Sequence, residues 1–149
     1  RLALTKAEAA VALLADTTDT PKLVLAADTV VAVGNRLLPK AEDEATARRC
    51  LALLSGRRHH VITAVALHGP WAAPRVKLSE TVVTFARLTD AEQDAYLASG
   101  EWHGKAGGYA IQGFAASFVR YLGGSHSNVV GLPLFETAQL LRGAGWAVP

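Results

Sequence analysis

The stretch that most constrains this chain runs from Leu23 to Ala41, because it places a carboxylate inside an apolar run. Val24 to Ala27 is typical of a buried strand, and the valines that follow continue the β-branched pattern. Gly34-Asn35 is a favoured two-residue link between antiparallel strands, so the stretch predicts a β-hairpin. Asp28 lies within the apolar run. A buried carboxylate must be paired, hydrogen-bonded or metal-bound, since burying it alone costs several kcal/mol.

Two interpretations of Asp28 remain open at this point. It either caps a strand end through Thr29 or a backbone N–H, or it belongs to a functional site. In a strict two-residue hairpin Lys40 would pair with Thr29 and share its face rather than that of Asp28. Pro39 has no N–H to donate, so we expect the ladder to break there and Lys40 to turn toward the carboxylate. A carboxylate and an ammonium group at one hairpin base are suited to handling a phosphate.

Composition narrows the function classes. The 149 residues fit one domain, residues 1–149, and half of them are apolar. A net charge of +2 with scattered lysines and arginines does not favour nucleic acid or membrane as a partner. No run is long and apolar enough for a membrane span, and the single cysteine, Cys50, excludes an internal disulfide, so we expect a cytoplasmic protein. Cys50 lies on the apolar face of a predicted helix and is interpreted as a packed thiol.

Helical and strand patterns alternate along the chain, which predicts an α/β domain with a mixed β-sheet and flanking helices. A helix is predicted over Arg1 to Ala15, followed by a loop from Asp16 to Pro21. The further predicted elements are a helix that begins near Glu42 and ends at Ser55-Gly56, strands over Val61 to Leu67, Val76 to Phe85 and Ser117 to Tyr121, a helix from the capping box at Thr89 to Ser99-Gly100, and a last helix after Pro133.

The segment from Glu101 to Gly113 is the second unusual stretch, because it holds four glycines close to Lys105 and Gln112. Such a loop lets backbone N–H groups approach an anion, and the lysine adds charge. The amide of Gln112 offers a donor beside an acceptor, the pair that meets the N3–H and a carbonyl of uracil or thymine. The alternative is a glutamine that bonds loop backbone.

Two further polar features are candidates of lower rank. His59 and His60 are adjacent on a predicted strand and point to opposite faces, so a shared metal is not expected and polar surface is the favoured interpretation. Glu80 interrupts the strand from Val76 to Phe85. It is the second candidate metal-binding carboxylate, although an exposed strand glutamate is the commoner case.

Several motifs together resemble the Maf family of nucleoside triphosphate pyrophosphatases, in order and over nearly the whole chain. They are Ala27-Asp28-Thr29-Val30-Val31, Lys40, Leu54-Ser55-Gly56 with His59 and Thr63, the block from Lys105 to Gly113, and Asn128 to Leu134 with Glu136-Thr137. The resemblance implies a two-lobed α/β fold with a central cleft, shared with inosine-triphosphate pyrophosphatases, and often a homodimer. It also implies hydrolysis between the α and β phosphates, dependent on a divalent metal cation (Mg²⁺, Mn²⁺ or Co²⁺).

The resemblance also implies roles for single residues. Asp28 matches the catalytic acid and a possible metal ligand, and Thr29 and Gln112 match positions tied to base choice. Lys40 and Lys105 match lysines on the phosphate side. The Gly-Gly-Tyr-x-Ile-Gln-Gly form of the loop is similar to the subgroup acting on dTTP and UTP, including modified uridine nucleotides, which implies a role in cleaning the nucleotide pool.

Two expectations qualify this assignment. Members usually begin with a strand and an arginine-bearing phosphate loop that this sequence lacks, so we expect an N-terminal piece to be missing. The rival function is a non-catalytic nucleotide-binding regulator, for instance of cell division. In either case the expected site is one anion-binding pocket that joins Asp28 to Lys40 and Lys105.

Overall fold

The computed structural model describes residues 23–149. The helix predicted over Arg1 to Ala15 and the loop predicted from Asp16 to Pro21 lie outside the described residues.

Five strands, four α-helices and one 3₁₀ helix follow one another along the described part of the chain. They are β1 (Val24–Val33), β2 (Arg36–Leu38), α1 (Glu44–Leu54), β3 (Arg58–His68), β4 (Arg75–Phe85), α2 (Asp90–Ser99), a 3₁₀ helix (Phe114–Phe118), β5 (Val119–Gly123), α3 (His126–Val130) and α4 (Leu134–Gly143).

The five strands form one sheet in the order β2-β1-β3-β4-β5, and every neighbouring pair is antiparallel. The predicted hairpin joins β1 to β2, with Gly34 at a positive φ of 57° as this turn type requires. The parallel pair that a mixed sheet would add is not found within residues 23–149. The α/β architecture with flanking helices, expected from the sequence, is confirmed.

One face of the sheet carries the main core because its side chains alternate in register across the central strands. Val31, Val61 and Val83 lie on this face and are at most 2% exposed. Helices α1 and α2 cover them, and the buried thiol of Cys50 belongs to this packing, as predicted. At the other end of the same face Leu140 of α4 packs on β3. Helices α1 and α2 therefore cover one end of this face and α4 the other, and α3 packs on its middle through Asn128.

The helices begin where the sequence supplies caps. Asp43 accepts a hydrogen bond from Thr46 N at 2.7 Å and starts α1. Thr89 and Glu92 form the predicted capping box at the start of α2, with both reciprocal hydrogen bonds present. No helix of the described residues is long and apolar enough to cross a membrane.

Candidate active site

A small cavity opens in the middle of the covered face, between the two groups of helices. It measures about 90 Å³. Its lining comes from β1, β3, the glycine-rich segment and the end of α3, and consists of Thr29, Val31, Val61, Lys105, Ala106, Tyr109, Ala110, Gln112, Val129, Val130 and Gly131. Three predicted site residues thus meet here, namely Thr29, Lys105 and Gln112. The cavity is smaller than the roughly 300–1,000 Å³ of sites that enclose drug-sized ligands, so it suits one ring of a nucleotide.

The glycine-rich segment is held in place by hydrogen bonds to the chain that follows β2. Ala41 N donates to Lys105 O at 3.1 Å, Gly104 N to Ala41 O at 2.8 Å, and Gly107 N to Pro39 O at 3.0 Å. Lys40 forms an isolated β-bridge with Ala106. We call this pair of segments the lysine seam, because it brings the backbones of Lys40 and Lys105 side by side.

The seam explains how the hairpin ladder ends. The pairing of β1 with β2 stops at Leu38, so the break expected at Pro39 is observed. Lys40 does not pair with Thr29 but with Ala106, from a segment more than sixty positions away. No local pattern signals that partner.

The backbone amides of the glycine-rich segment are already used within the protein. Besides the two seam bonds of Gly104 and Gly107, Lys105 N donates to Trp102 O, Gly108 N to Lys105 O and Gly113 N to Ala110 O. The expectation that the amides of this segment bind an anion is therefore wrong for these five donors, which belong to four glycines and Lys105. An anion near the seam must be neutralised by side chains.

The glycines instead allow close packing against the sheet. Gly107 has a φ of +69°, and a Cβ there would lie 3.1 Å from a methyl carbon of Val31. Gly108, with a φ of +79°, packs against Ala41, Ala47 and Cys50. Gly107 is thus favoured by both its left-handed φ and its tight contact with Val31, whereas at Gly108 the left-handed φ alone favours glycine.

A chain of hydroxyl groups ties the cavity wall to α3. Thr29 Oγ1 lies 2.9 Å from Thr63 Oγ1, and Thr63 Oγ1 donates to Asn128 O at 3.2 Å. The Asn128 amide donates to Val61 O at 3.0 Å and to Thr81 Oγ1 at 2.9 Å. Asn128 and Thr63 are fully buried. Because buried polar groups cost free energy unless they are paired, this network fixes the wall of the cavity.

His59 and Tyr109 form a second buried pair behind the cavity. His59 Nε2 lies 2.6 Å from Tyr109 Oη, and the imidazole meets Phe85 edge-on at 5.2 Å between ring centroids. His59 is fully buried, so the interpretation of both histidines as polar surface is wrong for His59. Burial, together with a smaller effect of the neighbouring His60, lowers the pKa of His59 to about 4. The ring is therefore neutral at pH 7 and holds Tyr109 in the wall of the cavity.

Gln112 lies at the mouth of the cavity and is exposed. Within residues 23–149 its amide makes no hydrogen bond to the protein, so the alternative of a glutamine that bonds loop backbone has no support there. The side chain is available to a ligand.

Asp28, Lys40 and Glu80 do not line the cavity. Since successive strand residues face opposite sides, Asp28 lies on the face opposite Thr29. Glu80 shares that face, but the register places its Cα roughly 12 Å from that of Asp28, two strands away. The Glu80 carboxylate is exposed, as expected, and lies 3.0 Å from His60 Nδ1. The single pocket expected to join Asp28 with both lysines is not this cavity.

β2 borders one edge of β1 for part of its length. β2 pairs with Val31, Ala32 and Val33 of β1 and does not extend to Thr29. A ligand that lies along the edge of a strand can reach side chains on both of its faces. The lysine seam begins where β2 leaves this edge. Thr29 and Lys105 therefore share one cavity, and the lysine seam brings the backbone of Lys40 beside Lys105.

Comparisons with known proteins agree on one assignment. A family model described as "Maf-like protein" matches residues 1–144. The "dTTP/UTP pyrophosphatase" of Granulibacter bethesdensis is 62% identical over 149 residues, which cover 98% of this chain and 70% of the relative. The protein of that name from Novosphingobium aromaticivorans is 63% identical, with 97% and 70% covered. The one from Mesorhizobium japonicum is 56% identical, with 99% and 72% covered.

Proposed function

Because the chain belongs to the Maf family, we propose that it hydrolyses dTTP and UTP to the monophosphate and pyrophosphate. The relatives of 56 to 63% identity carry that activity in their names. The structural observation that carries the proposal is the meeting of Thr29, Lys105 and Gln112 at one small cavity.

The cavity is proposed to receive the pyrimidine ring. Its volume of about 90 Å³ accommodates a small planar group and leaves the sugar and triphosphate outside. The Gln112 amide at the mouth supplies an acceptor for the N3–H of uracil or thymine and a donor for a ring carbonyl. Cytosine lacks that N3–H, so the same amide, fixed in one orientation, would disfavour it.

The triphosphate is then proposed to lie along the edge of β1, toward the lysine seam. Lys105 belongs both to the cavity lining and to the seam, so it can contact the phosphates nearest the base. Lys40 stands beside it in the backbone and adds a second exposed cation. Two ammonium groups offset the charge that grows on the phosphate oxygens during displacement.

Asp28 is proposed to be the catalytic acid-base residue on the other side of that edge. Its carboxylate would take a proton from the water that attacks the α-phosphorus. The pyrophosphate leaves with the electron pair of the broken P–O bond.

A divalent cation fits this arrangement if it enters bound to the triphosphate of the substrate rather than being held permanently by the protein. Within residues 23–149 no three His, Cys, Asp or Glu side chains are grouped as metal ligands. Mg²⁺ bound to a triphosphate needs only one or two carboxylates, and Asp28 would serve as one of them. Such an ion would neutralise phosphate charge. Mn²⁺ and Co²⁺ are the alternative ions.

The decisive experiment measures pyrophosphate release from UTP by the wild-type protein and by Asp28→Asn. Removal of a general base typically costs 10²–10⁴-fold in rate, so we expect a loss of at least about 100-fold in kcat. Asp94→Asn is the matched control, because Asp94 is an exposed carboxylate that only pairs with Arg48. Circular dichroism of both variants checks that the fold is kept.

Turnover by Asp28→Asn close to that of Asp94→Asn would remove Asp28 from the mechanism. Binding of UTP by the wild-type protein without any pyrophosphate release would favour the non-catalytic regulator instead. The proposed activity is that of a cytoplasmic enzyme, since its substrates are intracellular nucleotides. A homodimer, which the resemblance implies, stays a prediction.

A further inference from the structure

Four arginines that are scattered in the sequence lie at one end of the sheet, where several strands begin or finish. This end is formed by the start of β2, the start of β3, the end of β4 and the start of β5. We call the four residues the arginine edge; they are Arg36, Arg57, Arg87 and Arg120, and all are exposed.

Two adjoining cavities lie along this edge. Arg57, Arg87 and Arg120 line one of about 510 Å³, together with Ser55 and Gln93. Arg36 and Arg57 line the other, of about 390 Å³. Both volumes fall in the range of pockets that hold a small ligand. Arg57 belongs to both cavities, and neither shares a residue with the cavity of Thr29 and Gln112.

The charge of this edge is not balanced by the described part of the chain. Neither cavity has an aspartate or glutamate in its lining, and within residues 23–149 no carboxylate lies in ion-pair distance of any of the four arginines. Arg48 shows the contrast, because it pairs with both Glu44 and Asp94. The four exposed guanidinium groups therefore attract anions from solution, and the strength of this attraction falls with salt.

The backbone around the larger cavity is fixed before any ligand arrives. Gly56 N donates to Ala86 O at 3.1 Å, Phe85 N to Arg57 O at 3.1 Å, and Leu88 N to Ser55 Oγ at 2.7 Å. These bonds tie the end of α1 to the end of β4. The arginine stems therefore start from held positions, which lowers the ordering cost of binding.

We propose that the arginine edge binds a small, multiply charged phosphate anion such as pyrophosphate, at a site separate from the cavity of Gln112. Guanidinium groups match phosphate oxygens in paired hydrogen bonds, and three of them face one cavity of suitable size. Phe85 is the only aromatic residue of the two linings and is 1% exposed, so the edge offers no platform for stacking bases. A free phosphate anion is therefore favoured over single-stranded nucleic acid.

The test is calorimetric titration of inorganic pyrophosphate into the protein at low salt. Arg57→Gln is the main variant because Arg57 lines both cavities, and Arg87→Gln tests the larger one alone. We expect at least a tenfold loss of affinity at one site in each variant. Arg49→Gln is the matched control, since Arg49 is an exposed arginine outside both cavities, and it should bind like the wild type.

The Lys105→Gln variant separates this site from the proposed catalytic one. The arginine-edge site should keep its affinity in Lys105→Gln, and it should do so even if the wild-type protein proves unable to hydrolyse UTP. Equal pyrophosphate affinity in Arg57→Gln, Arg87→Gln and wild type would overturn the proposal. Salt-steep binding of a single-stranded oligonucleotide at this edge, with no binding of pyrophosphate, would overturn it as well.

Discussion

Acidification should destabilise this protein in part through the buried residue His59. The imidazole is fully buried, and its pKa falls to about 4 in the folded state because burial disfavours the charged form. In the unfolded chain the pKa returns to about 6.5. Below pH 6.5 the unfolded state therefore binds a proton that the folded state does not, and stability is lost as the pH falls toward 4.

The size of the effect follows from the two pKa values. Linkage gives a loss of about 2 kcal/mol in the free energy of unfolding between pH 7.5 and pH 5, and a limit of about 3 kcal/mol below pH 4. Carboxylates add their own acid sensitivity, so the informative quantity is the difference between the wild type and a variant that lacks this titration.

His59→Gln is that variant, because glutamine is neutral at every pH and can still hydrogen-bond the Tyr109 hydroxyl. Urea unfolding of both proteins at pH 7.5 and pH 5 gives the four free energies. The loss on acidification should be about 2 kcal/mol smaller in His59→Gln. His60→Gln is the matched control, since His60 is the neighbouring, partly exposed histidine and its removal should leave most of the acid sensitivity in place.

An equal loss of stability on acidification in the wild type and in His59→Gln would refute this reasoning. It would mean that His59 titrates alike in the folded and unfolded states, which its burial beside Phe85 and Tyr109 does not allow.

Three further substitutions test the walls of the cavity. Gln112→Ala should lower kcat/KM for UTP about 10–100-fold, with a smaller change for GTP, because two hydrogen bonds to the pyrimidine are lost; an unchanged UTP:GTP ratio of pyrophosphate release would contradict the role. Gly107→Ala should lower the free energy of unfolding by about 1–3 kcal/mol, because the alanine would have to adopt a positive φ and its methyl group would lie 3.1 Å from Val31. Thermal unfolding measures this loss, and a variant as stable as the wild type would show that the loop relaxes. Asn128→Ala should cost about 2–4 kcal/mol in urea unfolding, because Val61 O and Thr81 Oγ1 lose their donor; a cost below that of the exposed control Gln139→Ala would rule out the network.

Local signals predicted the local structure well. The hairpin follows from Gly34-Asn35, and the start of α2 follows from Thr89 and Glu92, because in both cases the interacting groups are neighbours in sequence. The predicted strand from Ser117 to Tyr121 shows the limit of such signals. Its first two residues finish a 3₁₀ helix, and β5 begins at Val119.

The errors arise where tertiary partners decide the outcome. His59 was predicted to be polar surface because histidine is a polar residue. Its burial is explained by the Tyr109 hydroxyl and the ring of Phe85, which are distant in the sequence. The amides of Gly104 and Gly107 were predicted to be available to an anion. Their acceptors, Ala41 O and Pro39 O, belong to a segment that is distant in the sequence. The arginine edge could not be predicted from the sequence for the same reason, because its successive members are about twenty to thirty residues apart.

Asp28 and Thr29 are adjacent residues of β1, and this adjacency determines how one substrate could contact both. Adjacent residues of a strand face opposite sides, so a strand that presents both to one substrate must present them across its edge. The pairing of β2 with β1 ends at Leu38, before Pro39, and the chain then crosses to Ala106 to form the lysine seam. The residue that stops the ladder thus also directs Lys40 away from Thr29 and toward the segment of Lys105. In the proposed reaction, Thr29 and Asp28 would therefore contact the substrate from opposite faces of β1.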